Sequence, residues 1–285
     1  MIIFKVSYDT GGGKKSLGAR LGPQAIECAF RRYPWQGAED GTPHPEIQWI
    51  NCTLLLDRYQ KKAASLFANM LVPFISLSGD NSCSFETVRV VAQHGKQIAL
   101  AVLDAHPDTC DVSHDPHAHW VRRLWQEGIV APEKTIFLGI RDPEAAEARF
   151  LKEKKTTVIT ADDIYFSPLT YLDSHAIARY ANRCRPLVEH VLVIVVDIDV
   201  LDPTYAPGTG ILRAGGLHVR HVLNIIRRLC ALPFAMKIGE ICEVIPKEGN
   251  ALRPKSDKRP DPCGLTVLAA EAILREMIRR MQPQP

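Results

Sequence analysis

Along the chain, short unbroken apolar runs alternate with longer stretches in which apolar residues recur every three or four positions. The runs are rich in Val and Ile, so they predict strands buried on both faces, over residues 2–7, 47–51, 74–78, 98–103, 135–138, 157–160, 191–196 and 234–241. The stretches between them predict helices over 23–31, 58–70, 85–94, 118–127, 143–152, 169–182, 216–230 and 265–281. Strand and helix taking turns from end to end is the pattern of an α/β protein built on a mainly parallel sheet. No internal repeat and no linker rich in Gly or Ser breaks it. Gly11-Gly12-Gly13 and residues 37–45 read as loops, so residues 1–285 are expected to form one domain.

Two of the predicted strands empty into charge. The run 191–196 continues into Asp197, Ile198 and Asp199, and the run 98–103 into Asp104, Ala105, His106, Pro107 and Asp108. In extended backbone, side chains two apart point the same way, so each set can aim at one point beyond the sheet edge. An Asp after a strand often only starts a turn or caps a helix. Two such strands side by side, however, would gather four carboxylates and an imidazole in one small volume. With no Lys or Arg inside either motif, the natural counter-charge is a metal ion, and mostly oxygen donors with one nitrogen favour a manganese-like cation over thiolate-type zinc.

In open parallel sheets ligands collect beyond the carboxyl ends of the strands, and other residues fall on that edge. Ser78-Gly79-Asp80-Asn81-Ser82 joins a strand to a helix but lacks the Lys and spacing of a phosphate-binding loop. Glu240 and Glu243 close the last strand, and His114, His117 and His119 follow the first acidic motif.

Charge changes the picture little. Thirty-five Lys and Arg against 32 Asp and Glu give a net charge of +3 that is not collected into a stripe, which argues against nucleic acid; Lys255, Lys258 and Arg259 lie in a Pro-rich stretch that reads as a solvated loop. The 8 cysteines form no Cys-x-x-Cys pair or regular framework, which fits a reducing compartment. The start lacks the features of a signal peptide and no apolar run reaches the length of a membrane span. A cytoplasmic protein without a membrane or nucleic-acid partner is expected.

Asp104-Ala-His-Pro-Asp108, the run from Asp197 through Pro203 to Gly210, and Gly215-Gly216-Leu217 closely resemble the motifs of the ureohydrolase family, which includes arginase, agmatinase, guanidinobutyrase and formimidoylglutamase. Weaker likeness extends from Gly22-Pro23 to Glu243-Val-Ile-Pro246 and Thr266, and Pro207-Gly-Thr-Gly210 leans towards agmatinase. The resemblance implies a three-layer α/β/α sandwich around an eight-stranded, mainly parallel sheet, assembly as homotrimers or hexamers, and two manganese ions. It also implies that Asp104 and Asp197 bridge the metals, that Asp108 serves one ion, and that His106 and Asp199 serve the other. His117 matches the residue that assists proton transfer near a guanidino substrate, and Glu243 the one that holds the guanidinium group. The reaction implied is hydrolysis of a guanidino C–N bond to urea and an amine, or to formamide from a formimino compound. Chemistry agrees: a guanidinium carbon is a poor electrophile, and a metal pair makes a strong nucleophile from water near neutral pH.

The chain also departs from the family. Asn81 stands where the family's Gly-Gly-Asp-His-Ser motif has a metal-binding His; an amide oxygen is the weaker donor, so the ion shared with Asp108 is expected to be held less tightly. Glu240 replaces an Asp, Ile245 an Asn and Ile211 a Thr. Three readings follow: an amidinohydrolase with one tight and one weak metal; a nearly inactive protein of the same fold serving as a partner subunit; and an amide hydrolase using a single ion.

Overall fold

The structure is a computed structural model, and it describes residues 1–11, 16–33, 46–52, 61, 72–93, 95–111, 117–141, 143–166, 176–246 and 264–282. Eight strands form one sheet: β1 (Ile2–Val6), β2 (Gln48–Asn51), β3 (Phe74–Ser78), β4 (Gln97–Leu103), β5 (Thr135–Ile140), β6 (Thr157–Thr160), β7 (His190–Asp197) and β8 (Met236–Cys242). Their order is β2-β1-β3-β8-β7-β4-β5-β6, and every pairing is parallel. The chain therefore crosses from β3 over to β4 and later fills the gap with β7 and β8.

The central strands are apolar throughout because both of their faces are covered. On β7, Leu192, Ile194 and Val196 point into one core layer and Val191, Val193 and Val195 into the other. Each such side chain contributes roughly 1.5–3 kcal/mol of burial free energy. Helices supply the outer layers: α1 (Gly22–Arg32), α2 (Ser82–Ala92), α3 (Trp120–Gln126), α4 (Ala145–Glu153), α5 (Ala161–Phe166), α6 (Ala178–Arg183), α7 (Val219–Ala231) and α8 (Leu265–Met281). α1, α7 and α8 pack Ile26, Ile225 and Leu274 on the first face; α2 and α3 pack Val88 and Trp120 on the second. This is the three-layer α/β/α sandwich expected from the sequence.

Differences from the expected elements are mostly at ends. β5 runs to Ile140 rather than 138, and α2 begins at Ser82 rather than 85. The short α5 was not expected; it starts directly after β6, where Asp163 accepts from the Thr160 backbone N–H and hydroxyl. The helix expected over 58–70, the first part of that over 169–182, Gly12 and Gly13, the loop at 37–45, His114 and the basic cluster at 255–259 lie outside the described residues. Among the described residues, no helix is long and apolar enough to cross a membrane. Cys28, Cys83, Cys110, Cys184, Cys230 and Cys242 carry free thiols.

Candidate metal centre

With β3, β8, β7 and β4 adjacent and parallel, their carboxyl ends open side by side at one edge. The register pairs Leu103 with Val196, Asp197 with Cys242, and Leu77 with Ile241. Asp104, Asp197, Glu243 and Asn81 thus leave the sheet as near neighbours.

The convergence is made by turns rather than by strand alternation. β7 ends at Asp197, and Ile198–Val200 form a 3₁₀ turn that Asp197 itself caps, its Oδ1 accepting from the Asp199 N–H at 2.8 Å. β4 ends at Leu103; Asp104 Oδ1 accepts from the His106 N–H at 2.6 Å, folding the next residues back. Asp108 and Glu243 have positive φ, 49° and 60°, the left-handed region that L residues seldom occupy and that concentrates at functional sites.

Asp104, His106 and Asp199 each offer a donor atom within 4.8 Å of the others, and His106 Nδ1 lies 3.0 Å from Asp199 Oδ2. Asp104, Asp108 and Asp197 are buried, and Asp104 Oδ2 has no hydrogen-bond partner. Burial first, and then the charges of Asp197, Asp199 and Asp108, push the Asp104 carboxyl well above the usual range. Asp197 is raised by burial and by Asp199 and Glu243. Asp108 is raised by burial against the opposing hydrogen bond from Trp120 Nε1, 2.8 Å long. Asp199 differs: burial opposes its charge, but His106, the Ala105 N–H and Arg141 together hold it below the usual value. A buried oxygen without a partner, among carboxylates that repel one another, with an imidazole alongside, is a donor set that fits a hard divalent cation.

Around this cluster lies a cleft of about 200 Å³, whose lining includes Asn81, His106, Asp108, His117, Asp197, Asp199 and Glu243. Glu243 Oε1 accepts from the Asn81 N–H at 3.0 Å and from Ser16 Oγ at 3.2 Å; burial and then the charge of Asp80 raise its pKa to about 8. Asn81 turns its amide nitrogen to Asp197 and Asp108 and its oxygen to Ser84 and Cys242. His119 does not line the cleft; its Nδ1 is 2.6 Å from the Cys110 carbonyl oxygen and ties that loop. Glu240 lies below, pushed to about 7 by burial against hydrogen bonds from Thr87, Ser78 and Ser84.

Arg141 is a residue the sequence motifs do not point to. It follows β5, is buried, and donates to the carbonyls of Asp199 at 2.6 Å and Val200 at 3.0 Å, fixing the turn that carries Asp199. Its place immediately after a strand, at the same sheet edge, is the signal that could have singled it out.

The fold and the site together define a three-layer α/β/α protein with a candidate metal centre beyond its central strands. The model of the Arginase family matches residues 1–279, and the chain belongs to that family. It is 29% identical over 246 residues to proclavaminate amidinohydrolase of Streptomyces clavuligerus, covering 80% of this chain and 75% of that one. Agmatinase of Neisseria gonorrhoeae (strain NCCP11945) is 28% identical over 298 residues, 97% of this chain and 85% of its own. Among solved structures, formimidoylglutamase from Bacillus subtilis matches with a TM-score of 0.83 at 24% identity, over 99% of this chain and 87% of that one, a likeness of fold. The curated relatives are hydrolases, and the agmatinase leaning read from the loop motif agrees with them.

Proposed function

We propose that the chain is a metal-dependent amidinohydrolase that cleaves the C–N bond of a guanidino compound and releases urea and an amine. The observation that carries this reading is the convergence of the buried Asp104 and Asp199 with the half-buried His106, Asp104 Oδ2 being unpartnered, in a chain of the arginase family. Manganese is the cofactor, Asp104, His106, Asp197 and Asp199 forming the complete side of its site and Asp108 and Asn81 the incomplete side. When bound, the cation would lower the pKa of water, so that hydroxide is available as the nucleophile near neutral pH.

The chain's own residues do the rest. Glu243, oriented through Oε1 by Asn81 and Ser16, takes the guanidinium as an ion pair; the cation offsets the burial that otherwise favours the protonated acid. His117, buried at the cleft, carries a proton to the departing amine. Arg141 holds the Asp199 turn. The protein acts as one domain in the cytoplasm, assembled from copies of itself.

The test is urea release over a panel of guanidino compounds, agmatine and guanidinobutyrate among them, after loading with Mn²⁺. Urea from one of them, lost on chelation and restored by the metal, is the expected result. Amide cleavage without urea, or binding of a related subunit by a chain without activity, would point to the other two readings.

A further inference from the structure

Asn81 holds the N-cap position of α2, where an asparagine ordinarily turns its side chain onto the first helical N–H groups. It makes no such cap. The carboxamide reaches instead to carboxylates that follow two other strands: Nδ2 donates to Asp197 Oδ2 at 2.6 Å and to Asp108 Oδ2 at 3.2 Å. The oxygen faces away from both and accepts from Ser84 Oγ at 3.2 Å and from Cys242 Sγ at 2.8 Å. These contacts decide which end of the amide meets the acids. The Cys242 thiol has a proton to give to the amide oxygen, while the single proton of Ser84 is shared between that oxygen and Glu240 Oε1, 3.0 Å away.

The amide nitrogen has one hydrogen for each of the two carboxyl groups. The two bonds draw Asp108 and Asp197 together without a cation. A metal ion bridging the same two oxygens would need the place that Nδ2 holds, and would need the amide oxygen turned towards it. Turning the amide would break two bonds to carboxylates and aim N–H groups at Ser84 and Cys242, of which sulfur is a poor acceptor. The other side of the cluster is held separately. Asp199 is fixed by His106, the Ala105 N–H and, through its carbonyl, Arg141.

We propose that Asn81 is a built-in substitute for a second metal ion, its carboxamide closing the Asp108–Asp197 side of the cluster, so that the chain holds a single divalent cation at Asp104, His106 and Asp199. This rests on the metal-dependent reading above and narrows it to a one-ion centre. Asn81 also orients Glu243 through its backbone N–H, so one residue ties the closed side of the cluster to the carboxylate offered to the guanidinium.

The experiment is metal counting on the full chain, saturated with Mn²⁺ and desalted, by mass spectrometry, together with calorimetric titration and electron paramagnetic resonance. The wild type is expected to retain about one equivalent with the spectrum of an isolated ion, and Asn81→His about two with that of a coupled pair. The double variant Ser84→Ala/Cys242→Ala frees the amide oxygen and is expected to take up a second, weaker equivalent. Two equivalents of similar affinity and a coupled spectrum in the wild type overturn the proposal, whether or not the variants fold. Urea assays on the same samples separate the two readings. Two equivalents with urea release remove the one-ion centre and leave the hydrolase; about one equivalent without urea from any guanidino compound does the reverse. No bound metal overturns both.

Discussion

Asp104 is buried beside Asp108, Asp197 and Asp199, and an ionised carboxylate in that company opposes folding unless a cation joins it. Asp104→Asn keeps an oxygen for the His106 N–H and removes one of the repelling charges. In chelator, the variant is therefore expected to be more stable than the wild type, by roughly 1–3 kcal/mol, while the stabilisation that Mn²⁺ gives the wild type disappears. Calorimetry with and without metal reads both, and a lower midpoint in chelator would contradict the account. Glu243→Gln poses the complementary question. Its amide oxygen can still accept from Asn81 and Ser16, so the fold should hold, but the ion pair with a guanidinium is gone. A loss of kcat/KM of about a hundredfold or more is expected, with a melting midpoint in chelator no lower than that of the wild type, because the buried carboxyl that is removed has a raised pKa.

At the scale of elements, the turn from β3 into α2 delivers Asn81, and it depends on Gly79. A Cβ there would stand 1.7 Å from the Tyr8 carbonyl oxygen, while the Gly79 carbonyl accepts from the Glu243 N–H at 2.7 Å. Gly79→Ala is expected to cost roughly 3 kcal/mol or more, read as a lower urea midpoint, because β1 and β3 must part or the turn must move. Such dependencies explain what could be read in advance. The apolar runs of β4 and β7 announced central strands because burial on both faces leaves no alternative pattern. Asp104, His106, Asp108, Asp197 and Asp199 were legible because each motif follows such a run. Arg141 and Ser16 were not, since Arg141 acts on the carbonyls of Asp199 and Val200 and Ser16 on Glu243, partners far along the chain that local sequence does not encode. Nor did alternation foretell how Asp197 and Asp199 meet; a 3₁₀ turn brings them together. The orientation of the Asn81 amide is set by Ser84, three residues on, and by Cys242, far along the chain.

Across the whole molecule, the sheet is held between two apolar layers, and α7 and α8 close the layer opposite α2 and α3. Where they pack, Glu276 of α8 is buried and takes Arg227 of α7 in two bonds, Nε to Oε1 at 2.7 Å and an Nη2 to Oε2 at 3.2 Å, with Arg280 Nε also on Oε1 at 2.9 Å. Burial alone would raise this carboxyl, but Arg227 and Arg280 outweigh it and hold its pKa below the ordinary 4.5. A depressed folded-state pKa contributes stability that is complete above the unfolded value and is lost as pH falls through the folded one. Both arginines are about half exposed, 49% and 48%, so solvent screens the pair and its contribution should be near 1 kcal/mol. Glu276→Gln should therefore melt below the wild type at neutral pH, and the gap should close as the pH drops below about 4.5. Melting both proteins in chelator across pH 7 to 3 isolates this contribution, because the other carboxylates titrate alike in the two chains and cancel in the difference. A gap that stays constant to the acid end would mean that α7 and α8 are joined by their apolar faces alone.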